Sequence, residues 1–546
     1  MKNDIQDPLK ELIKQALKDL GLQDLPPLDR KLEFFLSSGF GDISNNIALK
    51  LASITKQPAK TVSQNIVEAI NKSLPEYPVK DYVQEVKAEG AGFINFYLND
   101  RYFHEVLRDI LSKREDFAKK DFGRGESVLI EFVSANPTGP LSVAHARQAA
   151  VGDALANIFS FLGFRVKKEY YLNDEGNQIN ILGNSIELRF KEINGQKIEF
   201  PENFYQGDYI IDIAGEIKEK KLKIEDFSEY GVKKILATIE KELQDFGVKF
   251  DCWYSQKELR KSGKIKKALD SFKEKGFLYE QEGALWFKST GFGDDKDRVV
   301  LKSDGSYTYL APDIAYHEDK YKRGFNLLIN LWGPDHHGYI NRLKAAVKAM
   351  DKDPDSLKII IVQLASIFRE GKPVEMSTRR GQYITLREVL DEVGVDASRF
   401  FFLMRRTSSH LAFDLETAKK QTPENPVYYI QYAHARISSI LRSSLPVGKF
   451  ENADFSFLKE KEEIDLIKKL WQFSYILNVC YLTLDPYMLA VYLQEVAEVF
   501  HRFYDRHRVL GDDAGLTQAR LYLISAAKII LATGLKLLGV SAPEQM

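Results

Sequence analysis

The chain of 546 residues is 44% hydrophobic and 28% charged, and its formal net charge at pH 7 is −1. Its length predicts about three or four domains, and its composition is typical of a soluble globular protein. The balanced charge excludes a small, strongly basic nucleic-acid-binding module, although a large enzyme can still concentrate basic groups on one face.

Cysteine content and hydropathy indicate a reducing compartment. The two cysteines offer neither a disulfide framework nor a zinc-binding spacing. No uninterrupted apolar run reaches the roughly 18 residues of a membrane-spanning helix. The first residues, MKNDIQDPLKELIKQ, are charged and amphipathic, unlike a signal peptide. We therefore expect a cytoplasmic protein that does not cross a membrane.

Residues 1–120 are expected to form a separate α/β module. An amphipathic helix is predicted around residues 9–17, a second helical pattern runs from Ile43 to Leu51, and the alternating run at residues 93–98 predicts a strand. The charged, glycine-containing residues 113–126 then lead into the next region.

Residues 121–422 alternate apolar runs with helical patterns, which predicts βαβ units and a mostly parallel sheet. The mixed, charged residues 183–293 are interpreted as insertions into this sheet, without another sheet among them and without an assigned role. The predicted strands are 127–133, 326–332 and 358–364.

Residues 423–546 are dominated by helical patterns and predict a helical bundle. Its basic side chains indicate either a solvated face or, as the sharper alternative, a surface that faces RNA; they include Arg436, Arg442, Arg502, Arg506 and Arg508. The helical patterns lie at residues 427–442, 462–484, 487–505 and 515–538.

The first candidate site lies in residues 127–162, where a strand, a turn-rich loop and a helix follow one another. His145 comes at the start of the helix, where an imidazole and free N–H groups can bind a phosphate, although a histidine there is more often a capping or core residue. Glu131 ends the buried strand. Because an unpaired buried carboxylate is costly, Glu131 has either a local donor or a cationic ligand.

The second candidate is the sequence WGPDHHG at residues 332–338, which follows the next strand. Gly333 lets a ligand approach the backbone, Asp335 can accept the hydroxyls of a ribose, and the two histidines can stack or contact phosphate. A metal site built from Asp335, His336 and His337 is a weak alternative, because adjacent histidines rarely both bind one ion and no further ligand cluster follows.

Two further segments carry charge at predicted sheet edges. Tyr309 and Asp313 suit a guanidinium or ammonium group through paired hydrogen bonds and stacking, while a structural ion pair is the alternative. The loop EMSTRRG at residues 375–381 can close over a triphosphate and neutralise the charge on leaving pyrophosphate. Two arginines in a loop are, however, more often simply solvated.

Taken in order, these segments resemble the class I aminoacyl-tRNA synthetases, specifically the arginyl-tRNA synthetases, over nearly the whole chain. EFVSANPTGPLSVAHARQAAVGDALANIF is similar to the strand–loop–helix that carries the HIGH signature, and EMSTRRG stands where the KMSKS loop belongs. GDISNNIALKLA and AGFINFYL resemble the added N-terminal domain that contacts tRNA. PVYYIQYAHARI and LLGVSAPEQM resemble the anticodon-binding bundle.

The resemblance implies a fold of three parts. These are an appended N-terminal α/β domain (1–120), a catalytic domain with a parallel, Rossmann-type nucleotide-binding sheet (121–422) and an all-α anticodon-binding bundle (423–546). It implies ATP-dependent attachment of L-arginine to tRNA(Arg) through arginyl-adenylate, with Mg²⁺ accompanying ATP and no tightly bound cofactor. A monomer whose activation depends on bound tRNA is also expected.

The resemblance also assigns roles to individual residues, and none of them is a resident metal ligand. Arginine would be held by Glu131, Asn136, Tyr309 and Asp313. ATP would contact Pro137, Gly139, His145, Gly333, Asp335, His336 and Met376. Catalysis would involve His145, Ser142, Ser377, Arg379 and Arg380.

The sequence departs from the family's signatures at three positions. Ser142 replaces the first histidine of HIGH, Ala144 replaces its glycine, and Thr378 replaces the second lysine of KMSKS. Losing one transition-state donor costs about 3 kcal/mol in comparable sites, so a tRNA-binding paralogue with weakened catalysis is the alternative function. A class I synthetase for another amino acid is disfavoured, because the predicted pocket is acidic.

Overall fold

The computed structural model describes residues 5–22, 32–36, 39–374, 383–444, 450 and 453–546. Its helices are α1 Gln6–Asp19, α2 Ile47–Thr55, α3 Ala59–Ser73, α4 Asp100–Lys113, α5 Val143–Phe161, α6 Asn177–Ile193, α7 Asp208–Glu219, α8 Phe227–Asp245, α9 Gln256–Lys261, α10 Lys264–Glu274, α11 Leu310–Lys322, α12 Ile340–Ala349, α13 Leu386–Val393, α14 Val395–Leu403, α15 Leu415–Lys419, α16 Pro426–Ser443, α17 Lys461–Trp471, α18 Phe473–Thr483, α19 Tyr487–Arg506 and α20 Ala514–Leu538. Its strands are β1 Phe34–Leu36, β2 Ile43–Asn45, β3 Val83–Glu89, β4 Phe93–Leu98, β5 Ser127–Glu131, β6 Arg165–Leu172, β7 Cys252–Ser255, β8 Leu278–Gln281, β9 Ala284–Phe287, β10 Arg298–Leu301, β11 Leu327–Trp332, β12 Leu357–Ile361, β13 Ala365–Arg369, β14 Lys372–Pro373 and β15 Leu411–Asp414.

The central sheet is parallel and has five strands in the order β12-β11-β5-β6-β7. The three strands predicted from apolar runs are confirmed as β5, β11 and β12. The inner strands β5 and β11 are almost wholly buried, as expected for a sheet covered on both faces, whereas two of the five residues of the edge strand β12 are buried. The pairing of β5 with β11 sets Glu131 opposite Asn330. The carboxyl ends of these two strands therefore meet at one edge.

The interpretation of residues 183–293 as insertions without another sheet is wrong. β7 completes the central sheet, and β8 and β9 form a separate antiparallel sheet with β10. Each of these strands is only four residues long, too short for a clear alternating pattern. The β8–β9 hairpin turns at Glu282 and Gly283, both in the left-handed region (φ 53° and 72°), as a type I′ turn requires.

The N-terminal module contains an antiparallel sheet in the order β1-β2-β4-β3 together with α1 to α3. The predicted strand at residues 93–98 is confirmed as β4. The helical pattern from Ile43 is wrong at its start, because Ile43 lies in β2 and pairs with Phe96. The helix begins at Ile47, whose N–H donates to the side chain of Asn45 over 2.9 Å.

The C-terminal bundle is confirmed, with α16 to α20 packed against one another. The pattern at residues 462–484 is divided into α17 and α18, which are separated by Gln472. Helix α20 is long and apolar enough to cross a membrane, but 72% of its most apolar stretch is buried. It packs against α4, α16, α17 and α19, so it is the core helix of the bundle. The domain boundaries after residues 120 and 422 stay predictions.

Arg399 joins the bundle to the helix that carries His145. Its guanidinium is wholly buried and donates to Asp153 of α5 over 2.6 Å, to the carbonyl of Phe246 over 3.0 Å and to that of Leu538, at the end of α20, over 3.1 Å. A side chain at Gly539 (φ 69°) would collide with this guanidinium. Through Arg399, α5 is therefore connected both to Phe246, which follows α8, and to Leu538 at the end of α20.

Candidate active site

One cavity of about 890 Å³ opens at the carboxyl edge of the central sheet, and residues of β5, β11, α5, α11 and α12 line it. This volume lies within the range of small-molecule binding sites. Three of the four predicted segments meet here. The predicted site residues on its wall are Glu131, Asn136, His145, Tyr309, Asp313, Gly333, Asp335 and His336.

The other predicted site residues do not appear on this wall. Pro137 is buried in the loop beside the cavity, Gly139 lies against the hydroxyls of two tyrosines, and Ser142 caps α5. The remaining ones lie outside the described residues, namely Met376, Ser377, Arg379 and Arg380. The roles of all of these stay predictions.

Glu131 has a local donor, the first of the two possibilities inferred from its burial. Its Oε2 accepts a hydrogen bond of 2.6 Å from Nζ of Lys320, and its Oε1 accepts one of 3.1 Å from the hydroxyl of Ser134. Lys320 is completely buried, and its ammonium lies 4.1 Å from the centre of the Tyr316 ring. The charge of Glu131 is therefore already balanced inside the protein.

Lys320 belongs to a polar chain that the sequence analysis missed. Its Nζ also donates to Oδ1 of Asn330 over 3.2 Å, and the amide of Asn330 donates to Nε2 of His317 over 2.9 Å. Nδ1 of His317 donates to the carbonyl of Asp313 over 2.8 Å, and burial holds the pKa of His317 well below its usual range. Asp313, His317 and Lys320 have the i, i+4, i+7 spacing of one helix face, which is the signal that could have revealed this chain.

The Asp313 carboxylate has no cationic partner bonded to it among the described residues. Its Oδ2 accepts a hydrogen bond of 2.6 Å from the hydroxyl of Tyr339. Burial, reinforced by the negative charge of Glu131, raises the pKa of Asp313 to about 7, while the Tyr339 hydrogen bond and the positive charges of Lys320 and Arg342 act in the opposite direction. Near neutral pH the Asp313 carboxyl is thus divided between the protonated and the ionised form.

Tyr309 does not contact the Asp313 carboxylate. Its side chain is 81% exposed at the mouth of the cavity, and its carbonyl accepts a long hydrogen bond from the N–H of Asp313. An exposed aromatic ring at this place can still cover a bound guanidinium. Its role toward arginine stays a prediction.

Asn136 is held by the segment that follows β6. Its Nδ2 donates to Gln178 over 2.7 Å, and its Oδ1 accepts from Asn173 over 3.2 Å. The preceding turn is unusual, because Val133 and Ser134 both have positive φ (69° and 40°), which is strained for a β-branched residue. This turn directs the loop back over the sheet edge.

His145 is the third residue of α5 and closes a capping box with Ser142. The backbone N–H of Ser142 donates to Nδ1 of His145 over 3.2 Å, so this nitrogen carries no proton and the neutral ring carries its proton on Nε2. Burial lowers the pKa of His145 to about 4. The imidazole therefore presents a neutral N–H donor to the cavity across the physiological range.

The loop before His145 is anchored from outside the central sheet. The hydroxyl of Tyr209 in α7 donates to the carbonyl of Thr138 over 2.7 Å, and that of Tyr383 donates to the carbonyl of Pro140 over 2.9 Å. Tyr209 lies in the part of the chain to which the sequence analysis gave no role.

The loop after β11 supplies the opposite wall. A Cβ at Gly333 would lie 2.6 Å from Oδ1 of Asp335, so the exposed Asp335 side chain would have to move to admit one. Asp335 and His336 are exposed and 3.4 Å apart, and the His336 ring lies 5.8 Å from that of Trp332. Within the described part of the chain, no group of three or more His, Cys, Asp or Glu side chains could hold a metal ion.

Family models match all three parts of the chain. The model described as tRNA synthetases class I (R), catalytic domain, matches residues 106–402. The arginyl tRNA synthetase N terminal domain matches residues 7–98, and the DALR anticodon binding domain matches residues 430–546.

Individual proteins are similar over nearly the same length. The arginine–tRNA ligase of Citrifermentans bemidjiense is 47% identical over 520 residues, which cover 93% of each chain. That of Geobacillus kaustophilus is 44% identical over 557 residues, which cover 99% of each chain.

Solved structures agree with this similarity. The putative arginyl-tRNA synthetase of Campylobacter jejuni has a TM-score of 0.76 and 37% identity, covering 82% of this chain and 100% of the other. The arginyl-tRNA synthetase of Thermus thermophilus covers both chains completely with a TM-score of 0.77, and at 22% identity it supports the fold alone. Together with the catalytic-domain match over more than half of the sequence, these findings show that the chain belongs to the arginyl-tRNA synthetases.

Proposed function

We propose that the protein attaches L-arginine to tRNA(Arg) through arginyl-adenylate, consuming ATP and releasing pyrophosphate and AMP. The observation that carries this proposal is one cavity at the carboxyl edge of a parallel sheet. One end of the cavity is acidic, and the other is formed by a glycine-containing loop and the start of α5, as is typical of nucleotide-binding sites. Arginine and the α-phosphate of ATP can therefore lie side by side without a covalent enzyme intermediate.

The acidic end is suited to the two cationic groups of arginine. Asp313 offers an enclosed carboxylate to the guanidinium, with Tyr309 placed to cover it. The amide of Asn136 and the carboxylate of Glu131 lie on the same cavity wall and are assigned to the amino acid backbone. Because Lys320 already balances Glu131, we assign the recognition of the guanidinium charge mainly to Asp313.

The other end is suited to ATP, which enters as its Mg²⁺ complex. The neutral Nε2–H of His145 can donate to a phosphate oxygen at the start of α5, where the helix dipole adds a favourable field. The loop carrying Gly333, Asp335 and His336 is assigned to the adenosine part, since Gly333 permits close approach. We assign residues 375–381, which lie outside the described residues, to closure over the triphosphate.

In the first step, a carboxylate oxygen of arginine attacks the α-phosphorus while the bond to the bridging oxygen of pyrophosphate breaks. In the second step, a hydroxyl of the terminal ribose of tRNA attacks the arginyl carbonyl carbon and AMP leaves. The protein contributes positioning and charge stabilisation. His145 acts as a fixed hydrogen-bond donor, because burial keeps its pKa at about 4.

The bundle supports tRNA as the partner. On α16 the rings of Tyr428 and Tyr432 stack 6.1 Å apart, and the Arg436 guanidinium lies 4.7 Å from the Tyr432 ring. Half-buried aromatic and guanidinium planes are a platform on which unstacked RNA bases can lie. Arg502 and Arg506 instead pair with carboxylates of their own bundle, which fits a solvated face. We further propose that the protein acts as a cytoplasmic monomer.

Arginine-dependent exchange between ATP and pyrophosphate, measured with and without tRNA(Arg), tests the function. We expect exchange with tRNA present. Absence of exchange under both conditions, together with retained tRNA binding, would favour the paralogue with weakened catalysis.

Asp313→Ala tests the assignment of the acidic end. We expect it to remove the arginine dependence while ATP binding survives. Glu318→Ala is the matched control, because Glu318 lies on the same helix, pairs with Lys322 and does not line the cavity. An unchanged arginine KM in Asp313→Ala would contradict the assignment.

A further inference from the structure

The hydroxyl of Tyr339 donates a hydrogen bond to the carboxylate of Asp313, which lies on a different element. Tyr339 ends the 3-10 turn Pro334–Tyr339 that follows β11, whereas Asp313 lies in α11. The 2.6 Å between the Tyr339 hydroxyl and Oδ2 of Asp313 is the length of a charge-assisted O–H···O⁻ bond. A donor of this kind favours the ionised carboxylate over the protonated one.

Two neighbouring side chains that could donate to the Asp313 carboxylate, Lys320 and His317, are bonded to other groups. Lys320 donates to Glu131 and Asn330, and His317 bonds to the backbone carbonyl of Asp313, not to its carboxylate. In the described part of the chain, Tyr339 is thus the side chain that donates to the Asp313 carboxylate. Without it, a carboxyl enclosed beside Glu131 would take up a proton more readily and lose its attraction for a cation.

The guanidinium of Arg342 packs against the Tyr339 ring. It lies 4.7 Å from the ring centre, and Arg342 lines the cavity one helical turn beyond Tyr339. The described residues offer its buried Nε no hydrogen-bond partner and its guanidinium no carboxylate. By contrast, Arg298 on the same wall is paired with Asp294. The Arg342 charge therefore remains available to act on its surroundings, and it favours ionised Asp313.

We propose that Tyr339, packed against Arg342, is a positioning residue for arginine recognition: its hydroxyl favours the ionised form of the Asp313 carboxylate and aims it at the substrate guanidinium. This inference rests on the proposed assignment of Asp313 to arginine. Tyr339 acts through Asp313 and need not touch the substrate. Selectivity for a guanidinium thus depends on a hydroxyl from the nucleotide-side loop, which links the two ends of the cavity.

Tyr339→Phe in the full-length protein tests this, because it removes the hydroxyl and keeps the ring. We expect the arginine KM at pH 7 to rise about fivefold and the pH at which half of the arginine affinity is lost to move up by about one unit. The turnover number and the ATP KM should stay within about twofold, because the reacting atoms are not touched. Tyr321→Phe is the matched control, since it loses a hydroxyl bonded to Ser356 away from the cavity wall.

Arg342 variants provide an independent arm that keeps the hydroxyl. Arg342→Gln should raise the arginine KM in the same direction. Arg342→Lys should recover part of the effect, because it keeps the charge but not the planar stacking on the ring. An increase confined to the ATP KM would overturn the proposal, because it would place Arg342 on the nucleotide.

Parallel measurement of Asp313→Ala separates this inference from the proposed function. If Asp313→Ala abolishes arginine dependence while Tyr339→Phe leaves both the arginine KM and the pH midpoint unchanged, the positioning role is overturned and the function stands. If Asp313→Ala itself leaves the arginine KM unchanged, the assignment of Asp313 fails, and this inference fails with it.

Discussion

Arginine binding should depend on pH through Asp313. Burial raises the pKa of this carboxyl to about 7, whereas the guanidinium of arginine stays charged throughout. In the role that we propose for Asp313, only its ionised form pairs with the guanidinium. Affinity should therefore be lost as the pH falls through 7, in a range where an ordinary aspartate, with a pKa of about 3.9, would not change its charge.

The magnitude follows from the ionised fraction, because the apparent Kd is the intrinsic Kd divided by the fraction of competent sites. With a pKa of about 7, that fraction is about 0.1 at pH 6, about 0.5 at pH 7 and about 0.9 at pH 8. The Kd for arginine should thus rise about tenfold from pH 8 to pH 6, or about 1.4 kcal/mol. At pH 6 each bound arginine should release about 0.9 proton.

Isothermal titration of the full-length protein with arginine, at three pH values and in two buffers of different ionisation enthalpy, measures both quantities. The groups that face Asp313 are Tyr339, Glu131, Lys320 and Arg342. His145 adds no titration in this range, because its pKa is about 4.

Two variants isolate the source of the pH dependence. His336→Gln should keep the slope, because it removes an imidazole that also lines the cavity and leaves the carboxylate. Asp313→Asn should bind arginine weakly and without pH dependence. Equal Kd values at pH 6 and pH 8, no released proton at pH 6, or the same slope in Asp313→Asn would refute the reasoning.

Three further predictions concern α5 and its surroundings. His145→Ala should slow adenylate formation, measured by pre-steady-state kinetics, by about 10²–10³-fold with little change in the arginine KM. The wild-type rate should show no ionisation of this imidazole between about pH 5.5 and 8, because its pKa lies near 4. A decrease in rate of less than about threefold would contradict the role of His145. Ser142→Ala removes the hydroxyl of the capping box and should lower the free energy of unfolding in urea by about 1 kcal/mol, whereas Ser142→Asn should keep the cap; equal midpoints for both variants would argue against the capping role. Arg399→Met removes one of the two cations bonded to the buried Asp153 carboxylate, leaving Lys168, and takes the donor from the carbonyls of Phe246 and Leu538. It should cost about 3 kcal/mol in the same assay. Asp153→Asn combined with Arg399→Met should lose less than the two single changes added together, and strict additivity would contradict the pair.

The elements that the sequence predicted well are continuous apolar runs and long helical patterns. The apolar runs of β5, β11 and β12 are confirmed, as are the helices of the bundle. Burial alone dictates such patterns, so they are visible without knowledge of the partner. The four-residue strands β8 and β9 gain stability from pairing with each other. Neither segment alone has a sequence pattern that predicts this pairing.

The residues of the candidate site fall into the same two groups, those that the sequence could identify and those that it could not. Asp313 and His145 could be named from the sequence, because their residue types and neighbours match a chemical task. Lys320 and Tyr339 could not, although Tyr339 directly follows the motif WGPDHHG and Lys320 shares a helix face with Asp313. Their importance arises from distances of 2.6 Å to carboxylates on other elements.

By itself, the sequence determined the family, the order of the three parts and the residues that carry charge at the sheet edge. Only the tertiary structure decided which of those charges are already balanced. The parallel register of β5 and β11 brings Glu131 beside Asn330 and within reach of Lys320, 189 residues away in the chain. Asp313 receives a hydroxyl in place of a cation. Since the energy of a charge depends on its enclosure and on the groups within a few ångströms of it, the difference between these two carboxylates appears only once the chain is folded.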